Sequence, residues 1–420
     1  MVRGLLFSLL VVLTLTAFTQ DVQHYYTLAK EAYQQKDFQS YYSNLREANR
    51  LHPYHQVILY RLGVAAALTQ HPEEAITCLR KALLIDASFQ LEGNPDLAAI
   101  TSTKGFNDLV LLQKEILKPV IHSDTAFVLK DRTLHAEGIE YDVAHKTFYI
   151  GSIHQHKVIK VNSRGEVSDF CAPAQEGMTS VFGLKADPER NVLWVCSSPM
   201  QEMTGYDSTH HSAVFKFNLT TEKLLNTFQT GPDQPDGVFG DLILNKKGEV
   251  FISDSRNNII YRVNEQSKEL DTFYASTEFW NIQGMAFSAD NAYLFISDYI
   301  KGIFRLKLSD KELIQIANTT DTSLKGVDGL HFYKNNLITI QNGVTPARVT
   351  KYFLNKEMNE AMHDEIIDRA HPAFNEPTLG VLVKDFFYYI ANSQWSGYEN
   401  GKQKPSDQLQ DIVILKAKLK

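Results

Sequence analysis

Glu137, Gln283 and Asp328 each stand directly before a glycine and a short apolar run, in Ala136-Glu137-Gly138-Ile139, Gln283-Gly284-Met285 and Val327-Asp328-Gly329-Leu330. Side chains at one recurring point of a repeat come together when the repeats are arranged around an axis. Carboxylate and amide oxygens are the donors a hard cation prefers, and Ca²⁺ takes roughly six to eight of them, water included. Two carboxylates crowded together without a cation repel, which raises one pKa or draws in a counter-ion. This chemistry makes Glu137, Gln283 and Asp328 the candidate ligands of a divalent metal, with Ca²⁺ the first choice.

The elements that would position them follow from the repeat itself. A small or acidic residue, an apolar run, a turn and a second apolar run recur with starts at Glu137, Phe182, Gly240, Gln283, Asp328 and, more loosely, Glu376. The second runs are Phe148-Tyr149-Ile150, Leu193-Trp194-Val195, Val250-Phe251-Ile252, Leu294-Phe295-Ile296, Leu337-Ile338-Thr339 and Tyr388-Tyr389-Ile390. Each interval holds four short strands, the period of a propeller blade, and six repeats make six blades. A strand over Thr125–Leu134 is expected to pair with the last blade and close the ring, removing its exposed edges.

In such a blade the innermost strand starts at one face of the disc and the second strand returns to that face. Asp241, Asn342, Arg348, Glu376, Asn392 and Trp395 therefore belong to the same end of the channel as the candidate metal ligands. Amides, carboxylates, a guanidinium and an indole suit a small polar ligand, for instance a sugar acid or lactone whose carboxylate meets Arg348 while its ring lies against Trp395. His135, His154 and His156 are candidate proton carriers there. Asp254 and Asp298, each closing an Ile-Ser-Asp strand end, read instead as turn-forming residues that accept from backbone amides. Gly-x-Ser-x-Gly and Gly-rich phosphate loops do not occur, so nucleophilic serine catalysis has no support.

Ahead of the propeller the period changes to helical. Leu28, Ala29, Ala32, Phe38, Tyr41, Leu45, Ala48 and Pro53 match Leu62, Gly63, Ala66, Pro72, Ala75, Leu79, Ala82 and Ala87 at a spacing of about 34 residues, that of the tetratricopeptide repeat. The block resembles that repeat, which implies two helix hairpins and a groove for a protein or peptide partner. Asn94-Pro95-Asp96 starts a further helical cap. Residues 1–20 read as an export signal, with Arg3 ahead of an apolar run over Leu5–Phe18 that is shorter than the roughly 20 residues of a membrane span. Periplasmic or secreted localisation follows, with no transmembrane segment left after signal removal. A net charge of −7 without a concentrated basic stretch argues against nucleic acid as a partner. Cys78, Cys171 and Cys196 are too few and too scattered for a disulfide framework and read as buried apolar residues.

From Glu137 to Leu419 the chain resembles the senescence marker protein/gluconolactonase family, with its regucalcin and luciferin-regenerating-enzyme relatives. The resemblance rests on Glu137-Gly138 at the first blade and Asp328-Gly329 at the fifth. It implies a six-bladed propeller whose Glu, two Asn and Asp hold one divalent metal, with the Asp also acting as base in lactone hydrolysis. Carried over, Glu137 and Asp328 match. The third-blade pair is Gly240-Asp241 and the fourth is Gln283-Gly284, so Gln283 offers a longer amide and the position at Gly240 passes to water or to Asp241. The expectation is a mainly β protein: a helical tetratricopeptide-like domain over 21–120 and a six-bladed β-propeller over 124–420. Metal-assisted hydrolysis of a small lactone or ester, with Asp328 catalytic, is the leading function. A non-catalytic scaffold presenting a propeller face and a helical groove is the alternative.

Overall fold

The computed structural model describes residues 21–420, and the expected export signal lies outside the described residues. The chain forms two compact units that meet in sequence between Lys118 and Pro119.

The first unit is helical. Helices run through 21–34, Phe38–Leu51, Gln56–Leu68 and Pro72–Leu83, followed by a 3₁₀ turn at Pro95–Ile100 and a last helix at Lys104–Leu117. Local chemistry marks their starts. The side chains of Asp37, Asn94 and Thr103 accept from the amides of Ser40, Asp96 and Phe106, and Pro72 opens its helix where no amide is needed. Gly63 lets two helices approach closely, since a Cβ there would sit 2.7 Å from Leu79 Cγ. Leu45, Leu62 and Leu79 centre the core of this unit.

The second unit is a six-bladed β-propeller. The first blade holds Ala136–Asp142, Thr147–Ser152, Val158–Val161 and Val167–Cys171, and the second Ser180–Asp187, Val192–Ser198, Ala213–Asn218 and Leu224–Phe228. The third runs from Phe239–Leu244 through Val250–Asp254 and Ile259–Asn264 to Glu269–Ala275; the fourth spans Ile282–Phe287, Tyr293–Asp298, Gly302–Lys307 and Leu313–Gln315. The fifth is built on Val327–Tyr333, Asn336–Gln341, Arg348–Leu354 and Glu360–Arg369. Both faces of a blade pack on neighbours, so second strands such as Leu294-Phe295-Ile296 are apolar throughout and fully buried rather than alternating.

Closure uses both ends of the unit. The sixth blade consists of Gly380–Val383, Phe386–Ile390 and Ile412–Lys418, with Ser123–Leu129 paired to Ile412–Lys418 as its outermost strand. The closing strand ends before the expected Leu134 because the chain turns at Asp131, whose carboxylate accepts from the amide of Thr133. Val120–Ile121 pairs with Asp368–Arg369 at the edge of the fifth blade, so the propeller begins a few residues before the expected boundary. Asp368 secures this stretch: Oδ1 accepts from the amides of His122 and Ser123, and Oδ2 from the Tyr389 hydroxyl at 2.7 Å.

The repeat's glycines sit where adjacent innermost strands nearly touch. A Cβ on Gly138 would fall well inside contact with the Phe182 carbonyl oxygen, one on Gly183 would lie 2.8 Å from Asp241 Cα, and one on Gly284 would collide with the Asp328 carbonyl. A Cβ on Gly329 would lie 2.8 Å from the Thr378 carbonyl oxygen. In the third blade the position is Asp241, whose carboxylate reaches across to the Met285 amide; in the sixth it is Leu379, and Thr378 before it donates its hydroxyl to the Glu137 carbonyl, which completes the circle. Gly138→Ala should therefore destabilise the propeller by about 2 kcal/mol or more through forced displacement of the neighbouring strand. Gly231→Ala is the control, because an added Cβ there meets nothing within 4 Å. Urea unfolding midpoints measure both, and equal midpoints would mean that the inner ring is loosely packed.

Candidate functional site

Each innermost strand of the first five blades slips register at the repeat's start, between Ala136 and Ile139, Val181 and Leu184, Phe239 and Asp241, Ile282 and Met285, and Val327 and Leu330. A bulge re-aims the side chain it contains. Glu137, Gln283 and Asp328 lie within these bulges, at the starts of the innermost strands of the first, fourth and fifth blades.

Glu137 is 6% exposed, and its Oε2 accepts from the Ser393 hydroxyl at 2.7 Å and the Trp395 indole N–H at 3.0 Å. Asp328 accepts from the Asn342 amide at 2.8 Å, and Asn342 in turn accepts from the Tyr299 hydroxyl at 2.9 Å. Gln283 donates to the Asn281 side chain, and its Oε1 lies over Gly240, 3.4 Å from where a Cβ would be. The residue that supplies no ligand thus leaves room for the longer amide of the next blade. Glu376 accepts from the Ser396 amide, and its charge is felt at Glu137.

These carboxyl groups are not independent. Burial, then the Asp328 charge, pushes Glu137 up to about 8 against the pull of its two hydrogen bonds, with Glu376 adding to the rise. Burial pushes Asp328 up to about 6, opposed by the Asn342 hydrogen bond and helped by the Asp241 charge. Burial raises Asp241 to about 6 as well, with Lys185 acting in the other direction. Burial thus favours the protonated form of both carboxyl groups, and the Asp328 charge adds to this at Glu137. Among the described residues no group of three or more His, Cys, Asp or Glu side chains is arranged to hold a metal. Any cation held by Glu137 and Asp328 would complete its shell with amide oxygens and water, donors that a hard cation accepts.

Two expected ligand-binding residues are elsewhere occupied. Arg348 is 2% exposed; its guanidinium donates to Gln341 Oε1 and the Ser323 carbonyl, because Arg348 and Gln341 face each other across a strand pair inside the fifth blade. It cannot meet a ligand carboxylate. Asn392 donates to the Asp411 carbonyl and accepts from the Val413 amide, tying a strand end of the sixth blade to its neighbour. His135 is likewise not a proton carrier near neutrality. Its ring is buried between Tyr398, stacked at 4.5 Å, and Trp395, edge-on at 4.5 Å, and burial together with the His154 charge pushes it down to about 3. His154 is engaged with the Glu202 carbonyl, and burial lowers His156. Asp254 and Asp298 accept backbone amides as expected, Asp254 from Val238, Arg256 and Asn257, and Asp298 from Trp280, Asn281, Ile300 and Lys301.

Sequence reasoning passed over Ser393 and Tyr299 as individual contacts, and over Glu140, Lys185 and His331 altogether. The last three share a signal, each standing three residues after a repeat start, in Glu137-Gly138-Ile139-Glu140, Phe182-Gly183-Leu184-Lys185 and Asp328-Gly329-Leu330-His331.

No family profile and no curated protein matches this sequence. Among solved structures it is similar to regucalcin from Agrobacterium tumefaciens, described as a calcium-binding protein, at 15% identity over 70% of this chain and 96% of that one, with a TM-score of 0.48. A luciferin-regenerating enzyme is similar at 13% identity over 72% and 96% of the two chains, with a TM-score of 0.48. A gluconolactonase from Xanthomonas campestris is similar at 12% identity over 67% and 85%, with a TM-score of 0.46.

A carboxyl group whose pKa is higher folded than unfolded stabilises fully below its unfolded value, and that contribution is lost as pH rises through the folded value. For Glu137 the window runs from the ordinary 4.5 to about 8. Each tenfold in the proton equilibrium corresponds to about 1.4 kcal/mol, so the loss amounts to a few kcal/mol. The melting temperature of chelator-treated protein should fall from pH 5 to pH 9, and Glu137→Gln, which keeps an oxygen for Ser393 and Trp395, should flatten that fall. Parallel melting curves for the two proteins would mean that Glu137 ionises without penalty.

Proposed function

We propose that the channel mouth is a hard-cation site, Ca²⁺ foremost, at which a small uncharged lactone or ester is hydrolysed. The observation that supports this is the nearness of Glu137 and Asp328: carboxyl groups from the first and fifth blades are close enough for the Asp328 charge to raise the proton affinity of Glu137. Glu137 and Asp328 would hold the cation with the Gln283 amide oxygen beside them. A bound cation would polarise the substrate carbonyl and acidify a water molecule. Asp328, oriented by Asn342, would accept the proton of that water. Trp395 and Tyr299 would form the wall against which the ring lies. With Arg348 withdrawn into the fifth blade, Glu137, Asp328 and Glu376 give the mouth an acidic character that disfavours a sugar acid's carboxylate and favours a neutral ring.

A second reading draws on Trp395, whose indole N–H already occupies one oxygen of Glu137. An engaged ligand oxygen favours a non-catalytic propeller that binds a small molecule or protein. In either reading the helical unit, with paired helices resembling tetratricopeptide repeats, would dock a peptide or protein. A shallow depression of about 520 Å³ lined by Tyr42, Arg46, Glu47, Arg50 and Glu74 offers one place for it. Export to the periplasm or medium remains part of this proposal.

The test is a panel of lactones and esters assayed with Ca²⁺, Mg²⁺, Mn²⁺ or Zn²⁺, alongside thermal melts. A cation that binds only the folded propeller, present at about 100 times its dissociation constant, should stabilise by roughly 2.7 kcal/mol, reversed by chelator. Glu137→Gln and Asp328→Asn should each abolish most of that response, and Asp254→Asn should retain it. Binding without turnover on any substrate would favour the non-catalytic reading. An undiminished response in both mouth variants would place the cation elsewhere.

A further inference from the structure

Behind the mouth, the innermost strands carry a second group of ionisable side chains: Glu140 from the first blade, Lys185 from the second, Asp241 from the third and His331 from the fifth. Lys185 Nζ lies 2.8 Å from Glu140 Oε2, with the two side chains 23% and 10% exposed. Asp241 cannot turn away from them. Its Oδ1 accepts from the Leu242 amide at 2.8 Å, its Oδ2 from the Met285 amide at 3.3 Å, and its own amide donates to the Ser253 hydroxyl. A fixed carboxylate thus stands where four of the other blades have glycine.

The charges are linked in a string. Burial disfavours the Lys185 ammonium, but Glu140 and Asp241 outweigh that and keep it protonated. Lys185 lowers Asp241 while Glu140 raises it, and Asp241 raises Asp328 at the mouth. Burial and Lys185 hold the His331 ring neutral, with its edge against Phe387 at 5.0 Å. The Cys196 thiol, also facing Asp241, is held neutral by burial. Among Glu137, Glu140, Lys185, Asp241, Asp328 and His331, Lys185 therefore carries the single positive charge.

We propose that the Lys185 ammonium is a built-in counter-ion for Glu140 and Asp241, filling the place of a second cation and confining the channel's demand for an added one to the Glu137–Asp328 mouth. The inference rests on the reading that the mouth takes a cation. Lys185 acts on the site through Asp241 and is a positioning residue.

Calorimetric titration of chelator-treated full-length protein with CaCl₂ tests this. Wild type should take up one Ca²⁺. Lys185→Met should either admit a second or strengthen binding at the mouth by roughly tenfold, the scale of a unit charge nearby in a partly buried site. Lys185→Arg should behave as wild type. Lys185→Gln removes the charge but keeps a donor for Glu140, and it decides the matter if Lys185→Met does not fold. Unchanged stoichiometry and affinity in the charge-removed variant would overturn the inference.

Should wild type take up no Ca²⁺, the cation reading of the mouth fails, and cation-free melts decide the role of Lys185 separately. Without the ammonium, Asp241 loses the charge that lowers its pKa, and the stability of its protonated form is lost as pH rises through the higher folded value. The melting temperature of the charge-removed variant should then fall more steeply from pH 6 to pH 9 than that of wild type or Lys185→Arg. Equal slopes would overturn the inference.

Discussion

The close approach of innermost strands around the axis constrains everything else in the propeller. Gly138, Gly183, Gly284 and Gly329 permit backbone contact between blades where any side chain would collide with a neighbouring strand. Asp241 at the third-blade position adds a hydrogen bond to Met285, and Thr378 in the sixth blade one to the Glu137 carbonyl. In the first five blades the innermost strand bulges at this point, and the bulge re-aims the residue it contains. The glycine of each repeat and the polar residue before it are thus parts of one device, the first setting the distance between blades and the second lining what that distance leaves open.

Convergence creates an electrostatic problem that the chain resolves differently at two depths. At the starts of the first and fifth blades, Glu137 and Asp328 are compensated by neutral donors, Ser393 and Trp395 for the one and Asn342 for the other. Neutral hydrogen bonds reduce the cost of a buried charge but do not cancel repulsion between two of them, so both carboxyl groups remain inclined to hold protons. Deeper in, Glu140 and Asp241 meet a permanent cation in Lys185.

Arg348, Asn392 and His135 illustrate where one-dimensional reasoning reaches its limit. All three are polar residues close in sequence to the mouth. What separates them from Trp395 or Asn342 is the direction in which a strand end or loop turns its side chain. Arg348 faces inward because its strand partner is Gln341, with which it shares a buried hydrogen-bond set that includes Tyr352 and Ser323. His135 disappears beneath Tyr398, a residue more than half the chain distant, which no local pattern announces.

The sequence by itself determined the blade count, the strands within blades and the positions of the repeat's glycines. These follow from periodic apolar runs and from a repeated pair whose spacing leaves little freedom once the ring closes. Closure by the strand after the helical block was legible for the same reason, since an unpaired sixth blade would expose an edge. Tertiary structure alone decided which polar side chains face the channel, that Gly240 makes space for Gln283, and that Lys185 sits among Glu140, Asp241 and His331. Those outcomes depend on contacts between blades dozens of residues apart, where burial and the summed field of distant charges, rather than any local propensity, set each group's orientation and protonation.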